Sequence, residues 1–239
     1  MLNRKEIYAE DEQLPDKRFP IERNKRITAI AGTVLFVLII AELVITANLD
    51  GLRSEHIFVG VLLAGPLVVK ICSTGYRFFR YYTKSPEFVR SGPPNILLRV
   101  LAPFLVVMTI LVFISGFGLA FGGHAYEGLF HKVHTVSVTL WLPLLGVHIY
   151  AYIRKAFGLI KYDWTSQSKY RVPGREGRLG INVAAIILSG VAGIILSPLK
   201  FGKHGHWELP GPLALGIAAA VIAVLIAIPL IRLTNKRPQ

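Results

Sequence analysis

Four nitrogen-bearing side chains sit in apolar stretches of this chain at a repeated interval. His134 and His148 are fourteen residues apart, and so are His56 and Lys70. Fourteen residues at about 100° each come to roughly 1400°, within about 40° of four helical turns, so on a helix both members of a pair face the same way. The rise is about 21 Å, against a hydrocarbon core of roughly 30 Å. Inward-facing nitrogens at two depths on two helices suit one chemistry in particular, the coordination of a haem iron by axial ligands from facing helices.

The elements that would position these residues are membrane spans. The chain has 239 residues, 53% of them hydrophobic, and a mean hydropathy of +0.52. Apolar runs of about 20 residues recur, which a soluble domain of this size does not carry. Six spans are predicted: Ile27–Ala47, His56–Tyr76, Ile96–Phe121, Val133–Ile153, Leu179–Leu199 and Pro212–Ile231. The expected fold is an all-α integral membrane protein, with a four-helix haem-binding bundle over residues 27–157 and a two-helix C-terminal membrane unit over 179–239. Residues 1–26 are polar and charged and are expected to form a solvated cytoplasmic tail, not a cleaved signal peptide. A basic cytoplasmic linker is expected over 158–178, with a turn at Val172-Pro173-Gly174. Ser85-Pro86 and Gly92-Pro93-Pro94 break the connection between spans two and three. Pro143 is expected to kink span four between its two histidines, and aromatic residues from Tyr76 to Tyr82 form an interfacial belt.

Net charge is +13. Its placement argues against nucleic acid, because twenty-one of the Lys and Arg residues fall on one side of the predicted spans and four on the other. The positive-inside rule puts both termini in the cytoplasm of a multi-pass protein of the cell membrane, where anionic lipid would also favour the basic side. The single cysteine, Cys72, excludes an internal disulfide or a cysteine-ligated iron–sulfur cluster. It is expected to be a packing residue.

Topology sorts the ligand candidates. Spans two and four run from outside to inside, so His56 and His134 fall at the outer depth, and Lys70 and His148 at the inner one. His131 competes with His134 as the outer ligand, but its seventeen-residue separation from His148 turns it about 100° off that face. His131 is otherwise a helix cap or a propionate contact. The inner site is open. His148 suits an axial ligand, a quinone contact or a packing histidine. Lys70 suits an amine ligand, a propionate partner or a snorkelling side chain. Glu42, in span one, suits proton exchange with a quinol or pairing with Arg53. His124, His204 and His206, with Glu127 and Glu208, belong to outer loops. Gly60, Gly65, Gly116, Gly118 and Gly146, and Ala102, either pave haem faces or close helix packing.

With these residues in view, the chain resembles the cytochrome b superfamily over roughly Arg26–Phe157. Nearest in pattern are the membrane subunits of formate dehydrogenases and nickel hydrogenases and the cytochrome b subunits of quinol-oxidising complexes. In the quinol-oxidising subunits the second and fourth spans both carry histidine pairs at about this interval, where this chain has His56 and Lys70. In the formate dehydrogenase type a second haem takes a ligand from span one, which here has no histidine. The run Ser73-Thr74-Gly75-Tyr76-Arg77-Phe78 with Gly92-Pro93-Pro94 also resembles uncharacterised bacterial cytochrome-b-like proteins. The resemblance implies one haem b at the outer site, a second left open at the inner, and electron exchange between membrane quinone and an extracytoplasmic redox partner, either a subunit or a carrier. Such a chain would be the electron-transfer subunit of an oxidoreductase, not a stand-alone enzyme. The rival expectations are a transporter with a polar path and a haem-free assembly subunit.

Overall fold

The computed structural model describes residues 15–92, 95–164, 172–197 and 210–235. Six of its helices are long and apolar enough to cross a membrane, and no strand occurs among the described residues. The long helices are α1 (Pro15–Thr46), α2 (Arg53–Tyr82), α4 (Ile96–Phe121), α5 (Glu127–Trp164), α6 (Arg175–Leu196) and α7 (Gly211–Asn235). A short α3 (Pro86–Arg90) and a 3₁₀ turn (His124–Tyr126) lie in the connections. The chain is a multi-pass α-helical membrane protein. Large apolar side chains line the outside of its helices, among them Val37, Val68, Phe104, Ile114, Leu188 and Leu225, which is the surface that meets lipid.

Helices outrun the apolar spans that announce them. α2 has 30 residues, about 45 Å of helix, so its last turns lie beyond a roughly 30 Å hydrocarbon core. Likewise α1 starts at Pro15 and α5 runs through Pro143 to Trp164. The expected tail and linker therefore each contain helix. Pro93, Pro94, residues 165–171, and His204, His206 and Glu208 lie outside the described residues.

Local signals set the helix ends. α2 stops where Lys84 adopts φ 58°. The Ser85 amide then bonds Arg80 O at 3.0 Å and the Lys84 amide bonds Tyr81 O at 3.1 Å, a Schellman ending that satisfies two terminal carbonyls. Asn95 caps α4, its side chain accepting from the Leu97 amide at 2.9 Å.

The chain groups into two units, one drawing on Met1–Leu35, Gly65–Pro93 and Lys155–Ile187, the other on Phe36–Ala64, Pro94–Arg154 and Leu188–Gln239. α1, α2, α5 and α6 each contribute to both units.

In the first unit, Asp163 is the electrostatic centre. Arg26 Nη1 donates to its Oδ1 at 2.6 Å; Arg178 donates to both of its oxygens, through Nε at 3.1 Å and through Nη2. Arg178 also donates to Pro173 O at 2.7 Å and Val172 O at 3.1 Å, tying the chain before α6 to the end of α5. Thr28 and Ser73 share a 2.8 Å hydrogen bond between α1 and α2. The aromatic belt is present in part: Tyr76 packs edge-on against Phe88 at 5.7 Å, Arg80 lies over the same ring, and Phe78, Phe79 and Tyr82 are exposed. Cys72 is exposed, not a packing residue, because its face of α2 turns outward.

In the second unit, small residues let helices close. α6 zips onto α2 at four-residue steps: Ser197 Oγ donates to Ser54 O at 3.0 Å, Gly193 faces Phe58, and Ser189 Oγ donates to Leu62 O at 3.0 Å. Gly146 and Gly216 serve the α5–α7 contact, against Ala220 and Leu142 respectively. Along α4–α5, the Phe130 ring occupies the space a side chain on Gly118 would need, and Trp141 Nε1 donates to Thr109 Oγ1 at 2.9 Å.

Replacing Asp163 with Asn removes the anion and leaves two buried guanidinium groups facing a neutral amide. The expected loss is about 3–5 kcal/mol, read as a lower thermal midpoint of the detergent-solubilised protein. A midpoint within error of wild type would show that Asp163 does not hold this unit.

Candidate functional site

The second unit brings two of the sequence-selected residues together. The imidazoles of His56, near the start of α2, and His134, in the second turn of α5, have centroids 6.3 Å apart and ring planes at 87°. His131 is exposed, so His134 is the histidine of α5 that meets His56.

The His134 ring is held on its Nδ1 side by α4. Nδ1 is 3.1 Å from Val112 O and 3.1 Å from Ser115 Oγ. A carbonyl only accepts, so Nδ1 carries the proton. Ser115 spends its own hydrogen on Leu111 O at 2.6 Å and therefore accepts from the ring. The tautomer is thus fixed, and in the neutral ring Nε2 keeps its lone pair. Ser115 is buried at 1% exposure. Next to it, a Cβ on Gly116 would stand 3.2 Å from His134 Cε1. Glycine is what lets the imidazole lie against α4.

His56 is held on its Nδ1 side by α1. Its Nδ1 lies 2.7 Å from Glu42 Oε1. The ring N–H direction misses that oxygen, so Nδ1 makes no aligned hydrogen bond and Glu42 Oε2 is buried without one. Where Glu42 is ionised, the proton of a neutral His56 ring lies on Nδ1, because a bare ring nitrogen would be repelled by a carboxylate at this distance. Both side chains are partly buried, 26% and 17% exposed. The Glu42 partner is His56, not the expected Arg53. Beside His56, one turn along α2, Gly60 has no atom within 4 Å of the place a Cβ would take.

The other candidates have their own neighbours. His148 packs its ring on Tyr152 of the same helix, centroids 4.8 Å apart. Lys70 belongs to the first unit, where its Nζ lies 2.9 Å from the place a Cβ on Gly32 would take. His124 pairs with Glu127 at 3.2 Å, both exposed. Of the small residues, Gly116 lies against the His134 imidazole, Gly60 faces open space, Gly118 and Gly146 close helix contacts, and Ala102 is exposed. Ser115 was not among the sequence candidates, although a serine within the apolar run Ile114-Ser115-Gly116 is the kind of signal that could have singled it out.

Two imidazoles whose Nδ1 atoms both face oxygens of neighbouring helices form a candidate donor pair. Metal-bound histidines are held in this manner, with the distal ring nitrogen donating to a carboxylate or a backbone carbonyl. The two rings, one from α2 and one from α5, lie 6.3 Å apart by centroid and are the residues that would hold a metal or a metal-bearing cofactor at this site. An apolar cleft of about 290 Å³ runs along α4 and α5 nearby, lined by Met108, Leu111, Val133, Val136 and Leu140, with Lys132 also in its wall.

Comparison with family models, curated proteins and solved structures returns no match, so a functional reading has to rest on this geometry.

The tautomer assignment has a direct check. In ¹⁵N-histidine NMR of the solubilised protein at neutral pH, His134 should show a protonated Nδ1 and an unprotonated Nε2. Gly116→Val should displace the ring and shift that Nδ1 resonance, while Ser115→Ala should retain it through Val112 O. An Nε2-protonated His134 in the wild type would refute the assignment.

Proposed function

We propose that the protein is a membrane b-type cytochrome that holds one haem between His56 and His134. The observation that carries the reading is the imidazole pair itself: ring centroids 6.3 Å apart, with both Nδ1 atoms turned to α1 and α4 oxygens. When bound, the haem would supply one-electron redox chemistry that no side chain offers. The chain's own residues do the rest. Val112 and Ser115 fix the His134 tautomer, Glu42 lies against His56 Nδ1, Gly116 leaves room beside the His134 ring, and the apolar helices exclude water.

Electrons would pass between membrane quinone and a redox partner on the extracytoplasmic side. The placement of basic residues supports this orientation, with both termini cytoplasmic. It puts the first turn of α2, and His56 with it, toward the outer face. The cleft on α4 and α5 falls near the roughly 300 Å³ lower bound of ligand pockets, a size and apolarity that suit the ring and first tail units of a quinone. The second-haem question rests on His148, whose ring also packs on Tyr152.

The purified protein should be coloured. Its dithionite-reduced spectrum should show a haem b α band, and a pyridine haemochrome assay should give about one haem per chain. His56→Ala and His134→Ala should each lose that signal, while His148→Ala should keep it. A colourless wild-type protein would sink the cytochrome reading in favour of a polar-path or assembly role. Two haems per chain would restore His148 as a ligand.

A further inference from the structure

The two imidazoles are held by unlike oxygens. His134 Nδ1 faces a backbone carbonyl and a hydroxyl, both neutral, at 3.1 Å. His56 Nδ1 faces a carboxylate at 2.7 Å. Glu42 lies four residues from the end of α1, where its own carbonyl accepts from Thr46 Oγ1 at 2.8 Å. Among the described residues, the ion-pair contact of Glu42 is with His56. A carboxylate drawing on a ring N–H makes the opposite nitrogen a stronger donor, and the partly desolvated setting strengthens that pull.

We propose that Glu42 is the positioning residue of the outer site. It orients His56 and gives that imidazole partial imidazolate character, making it the stronger of two unequal ligands. The consequence, resting on the haem reading above, is a haem whose oxidised form is favoured over its reduced form more than a pair of neutral-bonded histidines would favour it. The contact is at ion-pair distance and is not an aligned hydrogen bond, so Glu42 acts on the ring through its charge and position.

The test compares wild type with Glu42→Gln, Glu42→Asp and Glu127→Gln. The last removes an exposed carboxylate that pairs with His124 and controls for overall charge. Potentiometric titration of the haem-loaded protein should give a higher midpoint potential for Glu42→Gln, an intermediate value for Glu42→Asp, and the wild-type value for Glu127→Gln. The low-spin electron paramagnetic resonance signal should shift in the same order. A Glu42→Gln potential equal to that of Glu127→Gln, with haem retained, overturns the inference and leaves the haem reading standing. If Glu42→Gln retains no haem, ¹⁵N-histidine NMR of the haem-free forms decides. A His56 Nδ1 resonance that moves in Glu42→Gln but not in Glu127→Gln supports the positioning role, and an unmoved one overturns it. A colourless wild type overturns both readings.

Discussion

Lipid offers no hydrogen bonds, and most of what is particular about this chain follows from that constraint. Hydroxyl and amide side chains inside the helices repeatedly turn back to the carbonyl four residues earlier. Thr28 bonds Asn24 O, Thr109 bonds Leu105 O, Ser115 bonds Leu111 O, Thr139 bonds Thr135 O, and Asn182 bonds Arg178 O. This back-bonding satisfies the donor and leaves oxygen lone pairs free to face a neighbouring helix. Ser115 and Thr109 use theirs on α5, toward His134 and the Trp141 indole. The local bond that keeps a hydroxyl tolerable in lipid thus also sets the position of a ring on the next helix.

Two seams within the second unit then fix the two imidazoles. The α4–α5 seam, closed by Phe130 over Gly118 and by Trp141 on Thr109, carries His134. The α2–α6 seam carries His56. Ser197, Gly193 and Ser189 of α6 meet Ser54, Phe58 and Leu62, residues at four-residue steps that bracket His56. α6 therefore has a physical role for the site although it contributes no ligand candidate. Close packing through small residues and interhelical hydrogen bonds is the main way to hold helices together where no hydrophobic driving force acts between them.

Much of this was legible in the sequence, for reasons that also mark where legibility stops. The spans were readable because twenty apolar residues in a row have few other uses. The meeting of His56 with His134 followed from counting crossings. Helix ends were not readable, because hydropathy reports the hydrocarbon core while the helix continues into the interface. Ser115 was hidden because one serine in an apolar run looks the same whether it bonds its own helix or reaches another. Glu42 was seen, yet its partner was expected at Arg53; sequence distance favours the nearer cation, whereas helix geometry presents the carboxylate to His56. The small residues could not be sorted by composition at all. Only coordinates separate Gly116, which lies against an imidazole, from Gly118, which lies under a phenyl ring.

A buried carboxylate, Asp163, and a partly buried one, Glu42, show how satisfaction separates structure from chemistry. Asp163 has both oxygens engaged by guanidinium donors. A group bonded at both oxygens by buried cations in this way rigidifies its surroundings. Glu42 has one oxygen in an off-line contact and the other with no hydrogen-bond partner. Stability alone does not favour keeping such a group, since an apolar pair of similar volume in its place would often cost nothing or stabilise the helices. Ionisable groups within spans tend to mark function for this reason. The unsatisfied capacity sits on the Nδ1 side of the one imidazole that α4 does not already hold. On the haem reading proposed above, a carboxylate there would strengthen a ligand without becoming one.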